Sequence, residues 1–227
     1  MSAEEKRKWL GLLRYRQCLV PTAWGWAVVL LGCGVLLAGA LYGVCPFLAV
    51  NDPRPGGVLV VEGWEPDFAL KEAVTEFRRN HYEKLYVTGG PIEMGAPLSE
   101  YKTYADLGAA TMLSLGLSTN QVQAVPAPFV PQDRTYTSAV FLGKWFHEHG
   151  LGVTNLNLLT LGPHARRSRL LFEKALGKGV IVGVISLPSR DYEPGRWWRS
   201  SQGVRMVIGE ALAYAYARVI FRAPNQD

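Results

Sequence analysis

The stretch "NLNLLTLGPHARRSRLLFEKAL", residues 155–176, contains the pattern that decides the fold. An apolar run ends at Gly162-Pro163, and apolar residues at helical spacing resume after it. A short apolar run closed by glycine and proline is typical of a buried strand, and the spacing that follows predicts a helix over 164–176. The unit is therefore a strand, a turn and a helix.

The same unit recurs on both sides of this stretch. The short apolar runs predict strands at 58–64, 84–91, 121–128, 155–162 and 179–186. The segments with helical spacing lie at 67–80, 100–116, 135–148, 164–176 and 201–221. Short strands alternating with longer helices are typical of an α/β domain with a mostly parallel sheet and helices on both faces. The sequence predicts this domain over 58–222, after a linker at 51–57 and before a short tail at 223–227.

A long apolar segment precedes the domain. Residues 17–51 contain no Asp, Glu, Lys or Arg. The segment 24–50 is long enough to cross a hydrocarbon core, which takes about 20 residues. A cleaved signal peptide, with cleavage after the alanines near position 40, is the alternative, although its apolar stretch is usually only roughly 7–15 residues long. We predict one retained transmembrane helix within 23–50.

The flanking charges predict the orientation of this helix. Residues 1–22 carry five basic side chains, whereas the first residues after the span offer only Arg54 beside Asp52. Because positive charge stays on the cytoplasmic side, residues 1–22 are predicted to be cytoplasmic and the domain to face outward. In a bacterium this is a single-pass protein of the inner (plasma) membrane with a periplasmic or extracytoplasmic domain.

Composition narrows the class of partner. Residues 164–222 hold 11 basic and 4 acidic side chains. An outward-facing domain does not meet nucleic acid, so this surplus points to anionic lipid head groups or a phosphorylated ligand. Cysteine is absent after Cys45, which excludes disulfides and a thiolate metal site from the domain.

Polar residues follow the predicted strands where a ligand is expected. In open α/β sheets, ligands bind beyond the carboxyl ends of the strands. The candidates at these positions are Glu62, Gly89, Gly90, Arg134, Thr135, His164 and Arg167. Their convergence at one end of the sheet is the strongest functional inference from the residues alone.

Several of these residues have two interpretations. Gly89-Gly90 is either a tight turn or a place where backbone N–H groups approach an anion. Glu62 is either paired, with arginine as the expected partner, or a titrating acid or base. Asp133 is predicted to be a helix N-cap, whereas Arg134 has no evident structural task and is the better ligand candidate.

Helix geometry separates the basic residues of "GPHARRSR". His164 and Arg167 each lie four residues before a predicted core position, so both are expected to lean toward the sheet. Arg166 and Arg169 are expected to face solvent or membrane, and Arg169 is spaced to pair with Glu173. Since helix N-termini bind anions, His164 and Arg167 are predicted site residues.

The segments "VEGW", "TGGP", "LSEYKTYA", "DRTYTSA", "GPHARRSR" and "WWRSSQGVRMVIGE" resemble the DUF218 family, also called the ElyC/SanA/YdcF-like family. The resemblance covers about 57–222. It implies a Rossmann-like domain, often membrane-anchored and linked to envelope integrity and to cell-wall or surface-polysaccharide metabolism, with no agreed reaction. The serine-glutamate of the family matches Ser99-Glu100, whereas Arg134-Thr135 stands where many members have Asn-Thr.

These observations lead to three functional hypotheses. The first is an anchored envelope protein that binds a phosphorylated or anionic metabolite, such as a polyprenyl-phosphate carrier or its sugar adduct, either as a hydrolase or transferase or without catalysis. The acid–base candidates are Glu62, His164 and Glu100, and the ligand-binding candidates are Gly89, Gly90, Arg134, Thr135 and Arg167. The second is a non-catalytic scaffold or regulator of envelope assembly with protein partners.

The third hypothesis is a transferase that binds a nucleotide or S-adenosylmethionine, the latter being associated with a cytoplasmic branch of the family. It requires a cytoplasmic domain. No metal site is predicted, and the sequence identifies no cofactor.

Overall fold

The computed structural model describes residues 19–224, and the chain divides into two compact units, Met1–Ala40 and Leu41–Asp227. Most of the predicted cytoplasmic N-terminus (1–18) and most of the tail (225–227) therefore lie outside the described residues.

A 26-residue helix, α1 (Ala23–Leu48), forms the apolar segment. At 1.5 Å per residue it is about 39 Å long, more than the roughly 30 Å of a bilayer core. Large apolar side chains along it, including Val28, Leu31 and Leu36, are exposed. By length and composition α1 is a candidate membrane span, and an N-terminal signal sequence meets the same criteria.

The second unit is built on a sheet of five parallel strands in the order β3-β2-β1-β4-β5. The strands are β1 (Val58–Glu62), β2 (Leu85–Gly89), β3 (Val122–Pro126), β4 (Asn155–Leu161) and β5 (Ile181–Leu187). This confirms the predicted α/β, Rossmann-like architecture, and the sheet is parallel throughout.

Helices cover both faces of the sheet, as predicted. They are α2 (Asp67–Arg79), α3 (Tyr104–Ser114), α4 (Arg134–Glu148), α5 (His164–Leu176) and α6 (Ser201–Val219). Alternate residues of β1 point to opposite faces: Leu59 and Val61 pack with α2 and α3, whereas Val58 and Val60 pack with α4 and α5. Burial on both faces explains why the strands are apolar almost without interruption.

The third helix begins later than its sequence pattern predicts. It starts at Tyr104 rather than at residue 100, because the Thr103 side chain accepts a hydrogen bond from the Asp106 N–H and caps the helix there. Residues Ala96–Leu98 instead form a separate 3₁₀ turn, and a second such turn spans Pro194–Arg199.

The change of face between α3 and α4 creates a crevice at the carboxyl ends of β1 and β4. The chain leaves β3 at one edge and returns to β4 beside β1, so the loops after β1 and β4 diverge to opposite faces. In open α/β folds this switch point is where ligands bind. Glu62 ends β1, and Gly162-Pro163 follow β4, at this crevice.

Candidate functional site

A cleft of about 800 Å³ opens at the carboxyl end of the sheet. Its walls come from the ends of β1 and β2, the loop before α4, the first turns of α4 and α5, and one side of α6. Seven of the eight predicted site residues line it: Glu62, Gly89, Gly90, Arg134, Thr135, His164 and Arg167. The eighth, Glu100, is exposed and is not among the lining residues.

A buried histidine lies between two carboxylates at the floor of the cleft. His164 is 6% exposed, and its Nε2 lies 3.2 Å from Oε2 of Glu62, which is 2% exposed. Its Nδ1 lies 2.9 Å from Oε1 of Glu210 on α6. Glu62 is therefore paired, as one interpretation of the sequence required, but its partner is a histidine and not an arginine.

Arg167 completes this cluster from the next turn of α5. Its Nε and Nη2 donate to the two oxygens of Glu210 at 2.7 and 3.0 Å, a bidentate pair. Nη2 also lies 2.9 Å from Nδ1 of His164. Since a guanidinium only donates, Nδ1 faces one donor and one acceptor, and a protonated imidazole resolves this by donating to Glu210.

The contact between His164 and Glu62 is short but poorly aligned. Nε2 lies within ion-pair distance of the carboxylate, yet it forms no hydrogen bond of acceptable geometry with the described residues and is sealed from solvent. The Trp64 ring packs edge-on to the imidazole at 5.2 Å between ring centroids. His164 is therefore held by its neighbours while its Nε2 proton is weakly engaged.

The pKa values of the cluster follow from this arrangement. Burial alone lowers the pKa of His164, but Glu62 and Glu210 outweigh it and raise that pKa to about 9. Burial raises the pKa of Glu210, but the hydrogen bonds from His164 and Arg167 bring it down to about 2. For Glu62 the charge of His164 likewise overcomes burial, so its pKa lies below the ordinary value. At neutral pH the cluster holds an imidazolium and two carboxylates.

A third glutamate lies behind Glu62. Glu65 is 3% exposed, accepts hydrogen bonds from Thr160 Oγ1 at 2.8 Å and Leu161 N at 3.2 Å, and is not a lining residue of the cleft. Burial and then the charge of Glu62 raise its pKa to about 7.

The start of α4 forms the opposite wall. Asp133 does not cap the helix, which corrects the sequence prediction: its backbone is left-handed (φ 53°) and its side chain makes no capping hydrogen bond. The first backbone N–H groups of α4 are thus left without a side-chain cap beside the cleft. Arg134 is exposed and pairs with Glu93 at 2.8 Å, and Thr135 is buried.

The two glycines after β2 have different reasons to be glycine. A Cβ on Gly89 would come within 2.9 Å of the Ala105 nitrogen and of Tyr104 Cβ, so close packing of α3 requires glycine there. The nearest atom to a Cβ on Gly90 would be 3.7 Å away. Close packing therefore explains why residue 89 is glycine. It does not explain Gly90, where the close approach of a ligand is the interpretation that fits.

The remaining basic residues of the opening stretch are structural. Arg169 pairs with Glu173, as predicted, and also with Asp52 at 2.9 Å. Arg166 does not simply face solvent: its guanidinium lies over the Phe47 ring and donates to the Phe47 carbonyl. Both arginines thus fasten the chain before β1 to α5.

The cleft is not strongly positive, because its cations are paired. Arg167 and His164 meet Glu210 and Glu62, and Arg134 meets Glu93. Within residues 19–224, no group of three or more His, Cys, Asp or Glu side chains is arranged to hold a metal ion. The arrangement is suited to moving protons, and an anion would bind by taking the place of a carboxylate or by using helix N–H groups.

Sequence reasoning missed Glu65, Glu93 and Glu210. Glu65 follows Glu62 by three residues, a spacing that a one-turn loop after the strand brings back over the strand end. Glu210 is the single acidic residue in an otherwise apolar and basic helix, and such isolation is a detectable signal of pairing. Glu93 belongs to a loop without periodicity, and nothing in its surroundings marks it.

No protein-family model matches this chain, and no curated protein matches it either.

Proposed function

We propose that this chain is a membrane-anchored cell-envelope protein of the DUF218 (ElyC/SanA/YdcF-like) family. Its outward-facing domain binds a phosphorylated or otherwise anionic envelope metabolite, a lipid-carrier or cell-wall or polysaccharide intermediate, and acts on it as a hydrolase or transferase. The observation that carries the proposal is the buried His164 between Glu62 and Glu210 at the floor of a ligand-sized cleft.

Two helix N-termini support an anionic ligand. Both α4 and α5 begin at the cleft, and neither is capped by a side chain. The free N–H groups and the helix dipole favour a negative group at such a point. Arg134 stands at the same wall on an exposed ion pair with Glu93, which is weak and can be exchanged for a ligand phosphate.

The cluster at the floor supports acid–base chemistry. Transfer of a proton from His164 to Glu62 turns an ion pair into two neutral groups, so it leaves the net charge of the buried site unchanged. Since Nε2 of His164 is sealed from solvent, Glu62 is the group that exchanges protons with a ligand: it takes a proton from an attacking water or hydroxyl as a carboxylate, and it protonates a leaving oxygen after receiving the proton of His164. Arg167 and Glu210 hold the imidazole in place.

A specific observation favours a second candidate, a non-catalytic scaffold of envelope assembly. The outer side of α6 carries a row of exposed apolar side chains, with Ile208, Leu212 and Val219 exposed to 44%, 68% and 81%. The row is spaced at four and seven residues, which places it on one side of the helix. A partner protein that covers this row would explain it without any reaction in the cleft.

The proposal is tested by mass spectrometry of the full-length protein extracted from its native membrane. We expect an anionic species to co-purify with the wild type and to be lost from Arg134→Gln, but to remain with Arg218→Gln, an exposed arginine of α6. Equal retention by the two variants, or no anionic species with the wild type, contradicts anion binding. Loss of function in cells on Leu212→Ser but not on His164→Asn supports the scaffold instead.

A further inference from the structure

The buried carboxyl of Glu65 does not line the cleft, but it is close enough to Glu62 and His164 for its charge to affect them. Its backbone N–H donates to the Glu62 carbonyl at 3.1 Å, closing the turn that brings the second glutamate back over the end of β1. Because Glu65 does not line the cleft, a ligand does not touch it. Any influence it has on the site acts through its charge, on Glu62, on His164 and on an ion bound in the cleft.

The Thr160 hydroxyl joins the two glutamates. Its Oγ1 lies 2.8 Å from Oε1 of Glu65 and 3.4 Å from Oε2 of Glu62. A hydroxyl has one proton, so it donates to one carboxylate at a time, and the distances assign it to Glu65. Glu62 then has a long contact to Ser168 at 3.5 Å, a contact with His164 at 3.2 Å and a hydrogen bond with the Trp64 side chain.

The other oxygen of Glu65 makes ionisation costly. Oε2 is sealed from solvent and has no hydrogen-bond partner among the described residues. An ionised carboxylate with one bare buried oxygen is far less stable than a neutral acid in the same place.

The surrounding charges also favour the neutral acid form of Glu65. The charged groups that act on Glu65 are Glu62, the end residue of β1, and His164 on α5; Arg167 and Glu210 stand behind His164. As carboxylates, imidazolium and guanidinium these four sum to zero, so an ionised Glu65 adds an uncompensated negative charge. Burial and Glu62 raise the pKa of Glu65 to about 7, in agreement with this balance.

We propose that Glu65 is a positioning residue that controls the proton shared by Glu62 and His164. As a neutral acid, Glu65 adds no charge to the ion pair of Glu62 and His164, and His164 can give up its proton to Glu62. Once ionised, it places a second negative charge behind Glu62 and holds the proton more tightly on His164. The consequence for an anionic ligand rests on the proposed function, whereas the effect on His164 does not.

The effect on His164 is measured by NMR on the full-length protein in nanodiscs with labelled histidine. His164→Asn identifies the signal among the four histidines of the chain. Titrated from pH 5 to 10, the wild-type signal is expected to move in two steps, one near pH 7 as Glu65 ionises and one near pH 9 as His164 itself loses its proton.

Three variants separate the contribution of Glu65 from other causes. Glu65→Gln keeps the shape of the neutral acid, so it is expected to remove the first step and to let His164 lose its proton at a lower pH than in the wild type. Glu65→Asp restores an ionisable group and is expected to retain a first step. Glu148→Gln, at the exposed end of α4, is expected to titrate like the wild type. A first step that survives in Glu65→Gln, or a wild type without one, overturns the proposal.

Sulfate binding tests the consequence for ligands, because the charge of sulfate does not change over this pH range. We expect the wild-type affinity for sulfate to fall about threefold or more between pH 6 and pH 8, because an ionised Glu65 adds a negative charge near the cleft, and that of Glu65→Gln to fall less. Equal pH dependence in the two proteins overturns the consequence for ligands. A wild type that does not bind sulfate at all refutes anion binding in the cleft, while the NMR titration still decides the role of Glu65.

Discussion

His164 on α5 and Glu210 on α6 are joined by a 2.9 Å contact between Nδ1 and Oε1, across 46 positions of sequence. Arg167 binds the same carboxylate with two hydrogen bonds. The last helix of the chain is thereby fixed to the helix that starts at the switch point of the sheet. One carboxylate thus orients the imidazole and anchors α6 beside the cleft.

Replacing this carboxylate is expected to destabilise the domain. Glu210→Gln keeps the size of the side chain but removes the charge that Arg167 and His164 face, leaving one buried and one partly buried cation under-compensated, at a cost of about 2–4 kcal/mol. The pKa of His164 falls in the same variant, since Glu210 helps to raise it. Chemical denaturation of the protein in detergent, with the His164 titration alongside, measures both effects.

The matched control for this substitution is Glu193→Gln. Glu193 is exposed, and its carboxylate lies 4.0 Å from Arg196. A surface contact of this kind contributes little. If both variants unfold at the same denaturant concentration as the wild type, the Glu210 cluster does not hold α6 in place.

The fold was predictable because its signals are local. The strand over 155–162 and the helix over 164–176 follow from apolar spacing and from Gly162-Pro163, and the structure confirms both to within a residue. The gathering of Glu62, His164 and Arg167 follows from the rule that strand ends meet at one edge.

The partners of these residues were not predictable in the same way. Glu210 reaches His164 only because α6 folds back over α5, and no periodicity in the sequence encodes which helices become neighbours in space. The conformation of Asp133 is a similar case: aspartate before a helix usually caps it, but here the loop from β3 arrives in a left-handed turn that directs the side chain elsewhere. Tertiary context decides both.

The two glycines after β2 provide a direct comparison between packing and binding. Gly89→Ala pushes a methyl group into the start of α3 and is expected to cost about 1–3 kcal/mol. Gly90→Ala meets no atom within 3.4 Å and is expected to change stability by no more than about 0.5 kcal/mol. Chemical denaturation curves of the two variants measure both changes in stability. A severe loss of stability for Gly90→Ala contradicts the geometry.

Gly90→Ala also tests the site. If the N–H groups beside Gly90 approach an anion, an added methyl group weakens sulfate binding without affecting folding. Unchanged sulfate affinity leaves Gly90 outside the binding surface.

Arg134 and Glu93 provide two opposite substitutions at one ion pair. Arg134→Gln removes a cation from the wall of the cleft and is expected to weaken sulfate binding, whereas Glu93→Gln frees Arg134 from its partner and is expected to strengthen it. Because the pair is exposed, neither change is expected to alter the free energy of unfolding by more than about 1 kcal/mol. NMR titration with sulfate at constant ionic strength measures the affinities. Changes of the same sign in both variants exclude a competition between Glu93 and the anion.

Stability is expected to fall as the pH rises from 6 to 10. The pKa of Glu65 is raised to about 7 in the folded protein, so the native state keeps a proton that the unfolded chain releases near its ordinary value; this contribution is complete below about pH 4.3 and is lost as pH rises from there through 7. The pKa of His164 is raised to about 9, so its contribution is complete below about pH 6.5 and is lost as pH rises through 9. Glu210, with its pKa lowered to about 2, acts only at the acidic end: its contribution is present above about pH 4.3 and is lost as pH falls toward 2.

Between pH 6 and 10 the free energy of unfolding is expected to fall by about 2 kcal/mol or more. Glu65→Gln is expected to remove the part that belongs to Glu65 and to move the part that belongs to His164 to a pH below 9, whereas His164→Asn removes the His164 part. Denaturant midpoints measured at pH 6, 8 and 10 for the three proteins test this assignment, and a wild type equally stable at all three values contradicts it.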